Sequence, residues 1–95
     1  MRRAARIDDN QAHIIAGLLK IGCSVQSLAA VGCGVPDLLV WSPVLKELRL
    51  LEVKNPNVSP CERELTHKQR MFRKAWAGPV YTVETLQEAI KVIDP

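Results

Sequence analysis

The chain has 95 residues, 47% hydrophobic and 24% charged, with a formal net charge of +3 and a pI near 9.0. This is the composition of one ordinary globular domain, which excludes a disordered chain and leaves room for a single core. No apolar run approaches the roughly 18 residues of a membrane span. The opening MRRAAR lacks the apolar segment of a secretory signal, so an intracellular, cytoplasmic protein is expected. We read residues 1–95 as one domain, with residues 1–7 a flexible basic arm.

In chain order, DDNQAHIIAGLLKIG places Ile14, Ile15, Leu18 and Leu19 at helical spacing. Asp8 and Gln11 resemble a capping box, and Gly22 is a natural stop, so a first helix is expected over 9–21. From Ser24 to Val53 short Val- and Leu-rich runs alternate with turn residues, predicting strands over 24–30, 36–41 and 47–53. Tight connections favour antiparallel neighbours. NPNVSP reads as a loop. LTHKQRMFRKAW then predicts a helix with Leu65, Phe72 and Trp76 on one stripe and a Thr66/Gln69 capping box, with Ser59/Glu62 an earlier possible start. GPVYTV reads as a strand. TLQEAIKVI reads as a closing helix with a Thr85/Glu88 box and Leu86, Ala89, Ile90 and Ile93 inward. The order is α-β-β-β-α-β-α.

Cys23, Cys33 and Cys61 are odd in number and lack C-x-x-C spacing, which argues against a disulfide framework and a zinc ribbon. His13 and His67 have no helical ligand spacing to a partner, so zinc is not expected.

Chemistry is concentrated in GVPDLLV and LLEVKN. Alternation along the third strand puts Leu48, Leu50, Glu52 and Lys54 on one face and Arg49, Leu51 and Val53 on the other. Antiparallel pairing brings Asp37, at the start of one strand, to Glu52, at the end of the next. At about 4 Å and an effective dielectric near 20, two such charges repel by about 4 kcal/mol, which a bound dication would remove. Two carboxylates, with the main-chain carbonyl of Val53, offer hard oxygen ligands suited to Mg²⁺ or Mn²⁺. Such an ion polarises a phosphodiester and activates water. Lys54 suits an electrostatic or water-orienting role better than that of general base. Gly34 permits close backbone approach and Pro36 fixes an extended entry to Asp37. Gln69 shares the inward stripe of its helix, where a buried amide needs partners; the bland alternative is that it only caps its helix with Thr66.

GVPDLLV, LLEVKN and LTHKQRMF, in this order, resemble the PD-(D/E)XK nuclease fold, and specifically the virus-type replication-repair nuclease (VRR-NUC) domain, in its stand-alone phage form. The resemblance spans 9–93. It implies an α/β, restriction-endonuclease-like αβββαβ core with a mixed sheet flanked by helices, plus a C-terminal helix. It also implies Asp37 and Glu52 as metal ligands, Lys54 as catalytic lysine and Gln69 as auxiliary glutamine. The expected activity is that of a Mg²⁺- or Mn²⁺-dependent homodimer cutting branched DNA such as four-way junctions. Where many members carry a glutamate on the first helix, this chain has Asn10 and Gln11. Gln11 falls on the inner stripe as a possible contributor without negative charge.

For DNA binding, Arg2, Arg3 and Arg6 form a basic arm, and Lys68, Arg70, Arg73 and Lys74 decorate the helix of Gln69. These suit phosphate contacts without sequence readout. Few aromatics argue against base stacking. Trp41 or Trp76 is a candidate for a two-fold interface, with core packing expected for at least one. Three alternatives stand beside this reading. One is a nuclease on flapped, nicked or plain duplex DNA, another a non-catalytic nucleic-acid-binding module of the same fold. The third is an interaction domain in which all four residues are surface.

Overall fold

The computed structural model describes residues 9–59, 61 and 64–95. Its elements are α1 (Asp9–Lys20), β1 (Ser24–Ser27), β2 (Leu38–Ser42), β3 (Glu47–Val53), α2 (His67–Ala75), β4 (Val80–Val83) and α3 (Leu86–Ile93). The four strands form one mixed sheet in the order β1-β2-β3-β4. The first three run antiparallel, and β4 lies parallel to β3 after a crossover through α2. This is an α/β sheet flanked by helices. None of the described helices is long and apolar enough to cross a membrane.

The sheet faces divide as strand alternation requires. Leu38, Val40, Leu51, Val53 and Val83 point to one side, where Ile14 and Leu18 of α1 and Ala89 and Ile93 of α3 close the core. α1 and α3 meet directly, and Gly17 allows it, since a Cβ there would sit 2.4 Å from the Leu86 side chain. Ser42 ties β2 to the end of α3: its hydroxyl is fully buried, donates to the Ile93 carbonyl at 2.7 Å and accepts from Leu45 N–H. The other face carries Leu39, Trp41, Leu48, Leu50, Glu52 and, past the strand end, Lys54. Its cover is α2, none of whose residues is fully buried.

Several boundaries differ from the sequence reading. β1 ends at Ser27 rather than Ala30, because the Ser27 hydroxyl accepts from Ala29 N–H and Val31 N–H bonds back to Leu28, turning the chain. β2 begins at Leu38 rather than Pro36, since proline cannot donate to a ladder. α1 stops one residue earlier than expected, at Lys20, and the closing strand spans only Val80–Val83. The Thr66/Gln69 box forms as read. At α3, Thr85 does cap Glu88 N–H, but the Glu88 carboxylate reaches past it to the N–H of Glu84, so the second box is not reciprocal. Asp8 and Glu62, members of the two other capping pairs considered, lie outside the described residues.

Candidate active site

Pro36 decides where the sheet stops and the site begins. The β2–β3 register ends with Leu38 opposite Leu51, and continuing it places Asp37 opposite Glu52 and Pro36 opposite Val53. Pro36 has no N–H to give the Val53 carbonyl. At the end of the ladder the Val53 N–H donates instead to the Asp37 side chain, at Oδ2, over 2.8 Å. A strand residue directs its N–H and C=O to the same edge, so the Val53 carbonyl turns toward Asp37 as well.

Glu52 points from β3 into the second face and is only 3% exposed. Burial pushes its carboxyl up from the usual 4.5 to about 8, and the adjacent Asp37 carboxyl, within hydrogen-bonding reach, pushes it the same way; Lys54 and Arg73 pull against this rise. At neutral pH the pair therefore retains a proton. Like charges directly opposed on neighbouring strands are unfavourable, and this proton is the chain's own relief from that repulsion.

Gln69 closes the arrangement from α2. Its Nε2 donates to Glu52 Oε2 at 3.0 Å, and its Oε1 accepts from Lys54 Nζ at 2.8 Å and from Thr66 N–H at 2.9 Å. Two donors on one side and a carboxyl on the other fix which way the amide faces. The two uses weighed for Gln69 in the sequence, capping and site-building, coexist in one side chain. Lys54 Nζ stands 3.9 Å from Glu52 Oε2, with its side chain 11% exposed. The loop before Asp37 presses on the same turn of α2: a Cβ on Gly34 would fall 2.2 Å from the Lys68 carbonyl oxygen and 2.7 Å from Gln69 N, and its φ is +79°. Only glycine fits both the close approach and the backbone.

Asp37, Glu52, Lys54, Gln69 and the Val53 carbonyl thus meet at one end of β3. The other expected residues are more scattered. Gln11 is buried in α1, 6% exposed, and its amide has no hydrogen bond to any described residue. Lys68, Arg70 and Lys74 are exposed, although Arg70 also donates to the Leu65 carbonyl. Arg73 is half-buried: it donates to Thr82 Oγ1 at 2.6 Å, and Thr82 pairs with Glu52 across β3 and β4. Arg73 therefore faces the sheet beside Glu52 rather than the open side of α2. Arg2, Arg3 and Arg6 fall outside the described residues. Neither tryptophan packs in the core, contrary to the sequence reading: Trp41 is 40% and Trp76 48% exposed. Trp76 stacks on Phe72 at 5.3 Å, and both line an apolar groove of about 580 Å³ with Leu39, Leu48, Leu50 and Pro79. The reason is the thin second layer, where α2 is too short to cover the sheet.

One contributor escaped the sequence reading. Asn10, on the first turn of α1, donates through Nδ2 to the carbonyls of Lys54 at 2.8 Å and Glu84 at 3.2 Å, while its buried Oδ1 has no partner among the described residues. In the sequence its position marks only the lack of a glutamate; nothing local in the D-N-Q start identifies it as a link to β3.

The donor set suits a hard dication. It offers two opposed carboxyls and a main-chain carbonyl freed by a proline, and the raised Glu52 carboxyl holds a proton that a cation would displace. Among the described residues no cluster of three or more His, Cys, Asp or Glu side chains is placed to hold a metal, so water and substrate oxygens would complete the coordination. No family model matches the chain, and comparison with curated proteins and with solved structures finds no match.

Proposed function

We propose that the chain is a divalent-metal-dependent endonuclease that hydrolyses phosphodiester bonds in branched DNA, working as a homodimer. The observation that carries this reading is the joining of Asp37, Glu52, Lys54 and Gln69 into one hydrogen-bonded group at the end of β3. Such a group is costly as mere structure, because it buries the Glu52 carboxyl beside a second carboxyl and an amine. The resemblance of its sequence to the VRR-NUC pattern supports the same reading.

Asp37, Glu52 and the Val53 carbonyl would hold Mg²⁺ or Mn²⁺, which when bound supplies positive charge to the phosphate and lowers the pKa of the attacking water. The chain's own groups do the rest. Gln69 keeps Glu52 and Lys54 at fixed separation, so that the amine is offered to the reacting phosphate or its water without collapsing onto the carboxylate. Lys54 then stabilises charge that develops on the phosphate oxygens. Lys68, Arg70 and Lys74, exposed along α2 beside the site, bind flanking phosphates, giving affinity without base readout. Two incisions in a branch require two such sites, which a two-fold pair supplies.

The test is cleavage of a four-way junction, a flap, a nicked duplex and a linear duplex by purified protein in Mg²⁺, Mn²⁺ or EDTA, beside Lys54→Ala. Metal-dependent cutting, abolished by the substitution while binding survives, is expected. Binding without cutting in either metal would instead indicate a nucleic-acid-binding module. Equal cutting of linear duplex would remove the branch preference, and sedimentation as a monomer would remove the paired incision.

A further inference from the structure

We propose that Asn10 is a positioning residue for this site: its amide nitrogen holds the end of β3, and through it Lys54, against Glu52 and Gln69. The sheet runs out just past Val53 and Val83. The last bond between β3 and β4 is Lys54 N–H to the Val83 carbonyl at 2.9 Å. One step past the last registered pair, Val53 with Val83, lie the carbonyls of Lys54 and Glu84, and Lys54 carries the amine on which the proposed site depends. Asn10 Nδ2 donates one hydrogen to each, at 2.8 and 3.2 Å, so a single side chain of α1 replaces the missing rung.

Two carbonyl acceptors fix the orientation of the amide: the nitrogen must face β3 and β4, and the oxygen must face away. That oxygen is buried and has no hydrogen-bond partner among the described residues. An unsatisfied buried acceptor is unfavourable, and the chain tolerates it here because the nitrogen's two bonds require it. The value of Asn10 therefore resides in its NH₂ group, a feature that separates it from aspartate, its near-isostere. Gln11 is buried on the next position of the same turn, so α1 approaches this end of the sheet with two amides, of which Asn10 alone is seen to grip the backbone of a site residue.

The catalytic consequence rests on the nuclease reading, whereas the positioning itself does not, and the experiment separates them. Asn10→Asp removes both donors and turns an acceptor toward two carbonyls. Ser42→Ala, which deletes a buried side chain's two hydrogen bonds at the opposite end of the sheet, is the control for diminished stability. The first readout is the rate at which Lys54 is acylated by an amine-reactive ester, followed by mass spectrometry at one pH. It should rise several-fold in Asn10→Asp and stay at the wild-type value in folded Ser42→Ala. The second is cleavage, where kcat should fall about 10- to 100-fold with KM little changed, the loss typical when a supporting hydrogen bond of a site is removed. Unchanged Lys54 labelling in Asn10→Asp would overturn the proposal. Raised labelling with a wild-type enzyme that cuts no DNA would uphold the positioning and refute the nuclease. If Asn10→Asp does not fold, Asn10→Ala, which also lacks the donors, carries the same two readouts.

Discussion

Replacing Glu52 with glutamine should flatten the pH dependence of stability and abolish metal stabilisation together. In the wild type the folded carboxyl titrates near 8 and the unfolded one near 4.5. Between those values the native state holds a proton that the unfolded chain has released, so this carboxyl's contribution to stability is fully present below about 4.5 and is lost as pH rises through 8. At 1.36 kcal/mol per pH unit the full decline is at most about 5 kcal/mol, comparable with the whole stability of a small domain. Glutamine cannot ionise, and its carbonyl still accepts from Gln69 Nε2, so the variant loses this slope and should be the more stable protein at pH 8.5. The Cys23 thiol, which burial pushes up, is common to both proteins and cancels in the comparison. Urea unfolding followed by tryptophan fluorescence, in EDTA from pH 5 to 8.5, reads the difference. Repeating it in Mn²⁺ at about a hundred times its Kd should add roughly 2.7 kcal/mol to the wild type and nothing to the variant. Parallel pH curves for the two proteins would refute the reasoning, since they would show that Glu52 does not keep its proton in the folded state.

Gly34→Ala should destabilise by more than about 1 kcal/mol and loosen Gln69, because the added methyl collides with the Lys68 carbonyl at a positive φ; a urea midpoint and cleavage rate both report it. Lys46→Gly should stabilise by about 0.5–1 kcal/mol, since Lys46 closes the β2–β3 hairpin at φ 55°, and a lower urea midpoint would speak against strain there. Lys68→Ala with Lys74→Ala should weaken junction binding evenly across sequences and reduce the slope of log K against log salt by about 1 for each phosphate no longer neutralised. An unchanged slope would place the DNA elsewhere.

The sequence pattern located most of the elements and the members of the site because each rests on local chemistry. Strand period placed Glu52 beside Lys54, a proline and a glycine framed Asp37, and a T-x-x-Q start announced the helix of Gln69. What escaped it depends on tertiary distance. Asn10 gains its role only when β3 and β4 end beneath α1, 44 and 74 positions away along the chain. The exposed tryptophans reflect how little of the sheet α2 covers, a matter of layer thickness that hydropathy does not encode. Arg73 resembled its basic neighbours until α2 was laid beside Thr82. Ser42, a turn serine by composition, is fully buried because α3 ends on it.

The shallow seating of α2 sets an order of events in the life of the fold. With no side chain wholly enclosed, this helix is attached chiefly by the hydrogen bonds of Gln69 and Arg73 to the sheet and to Lys54. Its amides should exchange with solvent through local detachment, well before the α1–α3 half of the molecule opens. Each such excursion would withdraw Gln69 and leave Glu52 and Lys54 free to meet without a spacer, while the main core stays intact.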